Sequence, residues 1–437
     1  MIVWSLFAVG AVYVWATVPL MAASAVLATL ARFQPRPSRE TRTLDWMLIA
    51  SVAAAAAQLV PLSPALRAAV SPHAEAISSA IRLGPPDPAA WQPLSLAPGS
   101  TEYSIALVLT ALVVFWAARR SCSRGLALQI ARYVAIAGMF AALSAFAFRA
   151  GGDRSLIYGR WHALDAGAHP FGPFVNRNHF ATWLLLACPL AAGYVAATLR
   201  PRRLTTSAAA RLVDAFEWLG TGAGWVGIAG IVMILALVAS TSRSGLVALT
   251  FSVAGSVWLA RRRITRRAGL FGLFALLAVG AAVGAYVGVT PVLSRVDETL
   301  RIGAGARPRI WQETLRIIRD FPLTGTGLGG YQTAMLVYQQ TGWPVFINQA
   351  HNQYLHLFAE GGFLVGIPVA LAVAAFIRLF CDRLAQDTSS SAWLRIGACA
   401  AICAVALQGF WETGLRIPAN GLLFAAAAAV AVHRPPR

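Results

Sequence analysis

Lysine is absent from the 437-residue chain, so all 36 fixed cations are arginine. Acidic residues are scarce, 17 in all, and charged residues of both signs make up 12% of the sequence. A soluble protein of this size carries about twice that share, so an ordinary soluble globular fold is excluded. Cysteine is equally sparse, five residues. Cys188, Cys399 and Cys403 lie in apolar runs, and Cys122 and Cys381 lie beside arginine clusters. No disulfide framework is expected from that placement. The formal net charge of +19 does not indicate a nucleic-acid partner, because the arginines fall in short clusters between apolar runs.

Apolar runs are what the chain does have: 58% of it is hydrophobic. Stretches of about 20 such residues recur along the whole length, as membrane-spanning helices require. Candidate spans are 2–30, 44–62, 103–118, 126–148, 178–199, 218–240, 245–260, 268–290, 361–380, 394–412 and 415–432. The first run lacks a basic n-region and is too long for a signal peptide, so it reads as a retained helix. The expected class is an all-α polytopic integral membrane protein of about 11–12 transmembrane helices, with residues 1–437 forming a single membrane-embedded domain. Arginine clusters such as "ARFQPRPSRETR", "LRPRRL", "ARRRITRR" and "IRLFCDR" occupy every second connection. By the positive-inside rule they place the N-terminus outside and the C-terminus inside.

The exported connections are then 63–102, 149–177, 241–244, 291–360 and 413–414. Residues 63–102 are rich in Pro, Ser and Ala and suggest a loosely ordered lid. Residues 291–360 form the largest exported loop, with short surface helices that would roof a cavity. In "RPRIWQETLRIIRDFP" the residues Ile310, Trp311, Leu315 and Ile318 are expected on one face, with Pro322 ending the helix.

Polar residues gather in these connections. Arg243 sits in "STSRSG" at a tight turn between spans, among small hydroxyl residues and with no acid nearby in sequence. An arginine there calls for an anionic ligand, or it snorkels to the interface. Arg301, Arg307 and Arg309 open the helix that carries Trp311, where the free N–H groups and the dipole favour an anion. The bland reading is a solvated basic face. "FVNRNHFA" places Asn176, Arg177, Asn178 and His179 before a span; an N-cap explains one asparagine, and a cavity-lining role accounts for the Arg and His. In "NQAHNQYLHLFAEGG" His351 and His356 are five apart, so they cannot chelate one metal from one helix face. No metal site and no cofactor is expected. His351, near a helix start, is placed to accept a proton from a hydroxyl. "GTGLGG" fits a nucleotide-loop pattern by letter but lacks a preceding strand; it reads as a flexible turn.

"STSRSG", "RPRIW", "PLTGTGLGGY" and "HNQYLHLFAEGGFLVG", in that order and spacing, resemble the bacterial O-antigen ligase / O-antigen polymerase superfamily. The resemblance runs from about residue 171 to 366, with the N-terminal third matching only as generic membrane helices. It implies a glycosyltransferase at the periplasmic face of the inner membrane, metal-independent and without nucleotide sugar. The donor would be an undecaprenyl-diphosphate-linked glycan, and the acceptor the lipid A core or another surface glycan. By the same resemblance Arg243, Arg307 and His351 are the catalytic residues. Arg177, Asn176, Asn178, His179, Arg309, Asn352 and Trp311 are assigned to substrate binding, and Glu360 to orienting its helix. Direct attack with a base predicts inversion at the anomeric carbon. A polymerase joining carrier-linked units, including exopolysaccharide units, shares this donor chemistry. A lipid-linked glycan transporter is the reading of another class, weakened by the near absence of acids within the spans. A purely structural subunit would leave the exported arginines unexplained.

Overall fold

A computed structural model describes residues 1–30, 40–81, 87, 89–150, 155–164, 168–199, 217–264, 304–340 and 346–434. The span expected at 268–290 and the arginine at 301 lie outside these residues, as does part of the 291–360 loop.

Helix dominates, and the protein is an all-α polytopic membrane protein. The expected first span is two helices, α1 (Ile2–Phe7) and α2 (Val14–Leu30). They break at Gly10, whose φ is +68° and where an added Cβ would lie 2.9 Å from the Phe174 ring. Next come α3 (Arg42–Ala57), then the short helices α4 (Pro64–Val70) and α5 (Ala74–Ile81). The expected loose lid is thus partly helical, and buried Arg67 holds it together through Glu75 at 2.9 Å. Helices α6 (Pro98–Ser121) and α7 (Ala127–Ala150) follow, separated by a distortion at Gly125. A two-residue antiparallel hairpin, β1 (Leu156–Ile157) and β2 (Trp161–His162), precedes α8 (Arg177–Thr198). After it come α9 (Gly222–Ala239) and α10 (Arg243–Ala260). Two helices from the 291–360 connection follow, α11 (Ala304–Asp320) and α12 (Tyr331–Tyr338). The chain closes with α13 (Gln353–Gln386), α14 (Ser391–Gln408) and α15 (Pro418–Val432). Long apolar stretches able to cross a membrane cover α6–α7, α8, α9, α10, α13 and α14, with α2 and α15 shorter.

Helix α8 is the axis. It is apolar on all sides and buried continuously from His179 to Ala191, as expected of a helix enclosed by others. It packs on α7, α9, α14 and α15. Against α14 the backbones touch: a Cβ on Gly397 would meet the Pro189 carbonyl at 2.3 Å. Small residues at such crossings let van der Waals packing replace the hydrophobic drive that lipid does not supply.

Helices α5, α11 and α12 share a separate core of Ile77, Ile317, Phe321, Tyr331 and Met335. This corrects the face read from the α11 sequence. Ile310, Thr314, Ile317 and Phe321 point inward, while Leu315 is 51% exposed. The helix ends at Asp320, two residues before Pro322.

The glycine loop is a brace rather than a flexible turn. Helix α13 breaks at Gly362 (φ 54°, ψ −158°), which frees backbone groups within a helix long and apolar enough to cross a membrane, where they need partners. The 322–327 loop takes them up. Thr326 N–H and Gly327 N–H donate to the Ala359 and Glu360 carbonyls at 2.9 and 3.0 Å, and Phe363 N–H and Leu364 N–H donate to Pro322 and Leu323. Gln58 Nε2 adds bonds to the Thr324 and Glu360 carbonyls, each 2.8 Å. A Cβ on Gly325 would sit 2.2 Å from the Glu360 carbonyl oxygen, so only glycine permits this approach.

Candidate active site

Four chain segments meet at one end of the bundle. The first is the start of α8. Asn176 is its N-cap, its Oδ1 accepting from Asn178 N–H at 2.8 Å. That side chain is used locally, as the capping reading requires. Arg177 and Asn178 then project from the first turn in different directions. Arg177 Nη1 donates to Thr241 Oγ1 at 3.1 Å. Asn178 Nδ2 donates to Glu412 Oε1 at 2.6 Å. His179 is 8% exposed, and its carbonyl accepts from Asn420 Nδ2.

The second segment is the turn before α10. Thr241 adopts φ +55°, and Ser242 caps the helix by accepting from Gly245 N–H. Arg243 is exposed in the first turn. The hydrogen bond between Arg177 and Thr241 ties this turn to α8, two residues from Arg243.

The third segment carries His351. The Ala350 peptide is gripped at both ends. Its N–H donates to His356 Nδ1 at 3.2 Å, and its carbonyl accepts from Trp311 Nε1 at 3.0 Å. Asn352 caps α13, accepting from Tyr354 N–H and Leu355 N–H, each at 3.0 Å. Its Nδ2 donates to the Phe410 carbonyl. Between these anchors His351 takes φ +47°, a left-handed conformation that costs a non-glycine residue about 1–2 kcal/mol. The anchors impose it, and its effect is to aim the imidazole at the fourth segment.

The fourth segment is the turn 409–417, whose centre is Glu412. This carboxylate is 2% exposed. Oε1 receives Arg307 Nη2 at 2.9 Å as well as Asn178. Oε2 lies 3.8 Å from His351 Nδ1. Burial pushes the Glu412 carboxyl up, but His351, Arg307 and His179 outweigh it, and the net shift is downward. A buried carboxylate that stays ionised beside an imidazole stabilises the imidazolium formed when that ring takes a proton. Arg307 and His351 remain 38% and 35% exposed. Pro308 and Arg309 are exposed next to Arg307.

The expected residues thus fall into groups. His351, Arg307 and Asn178 converge on Glu412. Arg177 links that cluster to the Arg243 turn. Asn176, Asn352 and Trp311 hold the backbone in place, and Arg309 lies on the exposed face of α11. Glu412 escaped the sequence reading, which set it as the last residue of a span before a two-residue connection. The connection runs from Gly409 to Ile417, and the lone acid in "WETGLR" was its signal.

A second polar group lies alongside. Glu360 Oε1 is 3.1 Å from His356 Nε2, and its Oε2 accepts from Arg416 Nη1 at 2.6 Å. The Tyr331 ring lies over His356, centroids 4.5 Å apart. Glu360 Oε1 also accepts from Tyr331 N–H at 3.3 Å, so this acid joins α13 to α12 and to the 409–417 turn. Among the described residues no three His, Cys, Asp or Glu side chains converge as a ligand set for a metal.

Residues 228–370 match the family model described as O-antigen ligase. Arg243, Arg307, Trp311 and His351 fall inside that match; Arg177, Asn178 and Glu412 fall outside it. No curated protein matches the chain.

Proposed function

We propose that this chain, which carries an O-antigen ligase domain over residues 228–370, is a glycosyltransferase of the ligase type acting at the periplasmic face of the bacterial inner membrane. It transfers a glycan from undecaprenyl diphosphate to a hydroxyl acceptor, lipid A core or another surface glycan. The observation that carries this reading is the convergence of His351, Arg307 and Asn178 on buried Glu412, with the Arg177–Thr241 bond tying the Arg243 turn to the same place.

In this reading His351 takes the proton of the acceptor hydroxyl. The acceptor oxygen bonds to the anomeric carbon as the bond from that carbon to the diphosphate oxygen breaks. The electron pair leaves on undecaprenyl diphosphate, and the carbon inverts. Arg243, Arg307 and Arg177 meet the developing oxyanion, a planar two-pronged contact suited to phosphate. Glu412 holds Arg307 in place and balances the charge gained by His351.

The test is reconstitution in liposomes with a labelled carrier-diphosphate saccharide and two acceptors offered together. One-step capping of lipid A core supports a ligase. A ladder of products assigns the protein as a polymerase instead. Movement of unconsumed carrier between leaflets refutes the enzyme reading. Retention at the new anomeric centre refutes the single displacement.

A further inference from the structure

Beside the arginine cluster lies a cavity of about 690 Å³ between α2, α6, α13 and α15. The segments that build the Glu412 cluster also build this cavity, with other residues. From 348–353, His351 meets Glu412, while Asn348, Gln349 and Gln353 line the cavity. From 412–416, Glu412 meets Arg307, while Leu415 and Arg416 line the cavity. His351 therefore sits on the partition between two compartments of different chemistry.

The arginine side suits a diphosphate. The cavity side is less suited: a single arginine, Arg416, lines it, and the Glu360 carboxylate that binds it at 2.6 Å lines it too. Its polar end is instead rich in carboxamides, with Gln332, Asn348, Gln349 and Gln353 all lining it. A carboxamide both donates and accepts, which fits sugar hydroxyls. Gln353 Oε1 is buried and accepts no hydrogen bond from the described residues, an arrangement that calls for a donor. The other end is apolar, with Leu20, Leu107, Ala111 and Leu422. Val108 lines the cavity and is also 41% exposed on α6, so the cavity reaches the lipid-facing surface. Sugar-binding groups above an apolar floor describe a glycolipid.

Resting on the transferase reading above, the geometry points to this cavity as the acceptor site. It takes a membrane-anchored glycolipid whose saccharide hydroxyls bind the carboxamides and whose lipid lies along α6 and α15. In a direct displacement the incoming oxygen and the leaving diphosphate occupy opposite faces of the anomeric carbon. Two compartments with the base between them meet that requirement.

The test uses the full chain in liposomes and two variants, Gln353→Leu and Ala111→Trp. The first removes a hydrogen-bonding group from the polar end, and the second fills the apolar end. Initial rates are measured with lipid A core varied at fixed carrier-linked donor, and then with donor varied at fixed acceptor. The acceptor KM rises roughly five- to tenfold in Gln353→Leu, as expected for one lost hydrogen bond to a ligand, and further in Ala111→Trp. The donor KM stays within about twofold. A changed donor KM with an unchanged acceptor KM assigns the cavity to the carrier and overturns the inference. So does a Gln353→Leu protein that matches wild type in both, whether or not the tryptophan variant folds. A wild type that transfers to no acceptor overturns the transferase reading, and this inference with it.

Discussion

At each end of the bundle a buried acid meets an arginine. At one end Asp387 faces Arg395, which is fully buried. Arg395 Nε and Nη2 bind Asp387 at 3.3 and 3.0 Å, and its Nη1 binds the Ala431 and His433 carbonyls. The hydroxyls of Ser389 and Ser391 complete the carboxylate. At the other end Glu412 is equally buried, but its cations reach solvent, Arg307 at 38% and His351 at 35% exposure. The first pair is closed: each charge is satisfied inside the protein. The second uses the acid as a fixed post from which cations face outward. Exposure of the cation, rather than presence of the pair, separates a strut from a site.

Substitutions can break that contrast. The largest effect is expected from His351→Ala, a rate loss of about 10²–10⁴-fold with thermal stability little changed, read by initial rates and a melting curve. Arg395→Ala should do the converse. It leaves Asp387 buried without its partner, at a cost of about 3–5 kcal/mol, seen as lost monodisperse protein in detergent. A large rate loss with retained stability in Arg395→Ala would abolish the distinction. Arg307→Ala and Arg243→Ala follow, each slowing transfer about 10²–10³-fold. Substrate saturation should not restore the rate, because the contact belongs to the transition state.

A smaller effect sharpens the likeness between the ends. Burial raises both the Glu412 and Asp387 carboxyls, yet their partners hold both below the ordinary range. A depressed folded value means that the ionised carboxylate adds stability at neutral pH. That stability is lost as pH falls through the folded value. The gap in melting temperature between wild type and Glu412→Gln should therefore narrow on acidification below about pH 4, and likewise for Asp387→Asn. A gap that widens would reverse the sign of both shifts.

Most of the membrane architecture was legible in the sequence because it rests on local pattern. Apolar runs located α8, α9, α10, α13 and α14, and a cap at Asn176 or Asn178 was readable from the position of both before α8; the structure selects Asn176. The α11 face was misread by one helical step because Leu315 is apolar yet exposed. What was illegible depends on distant pairs. Glu412 meets Asn178 across 234 residues and Arg307 across 105, and no local period carries such information. The brace was hidden for a related reason: "GTGLGG" and "AEGG" make sense only when set against each other.

The interruption at Gly362 has a mechanical consequence. Upstream of it, residues 353–361 are bonded to the 322–327 loop; downstream, the remainder of α13 is a long apolar rod. The same loop bonds to both parts, at Ala359 and Glu360 above the break and at Phe363 and Leu364 below it, so a lean of the lower rod is passed to the segment that carries the imidazole. Turnover that changes between vesicles of short and long acyl chains is the corresponding expectation, and a level rate would show the joint to be loose.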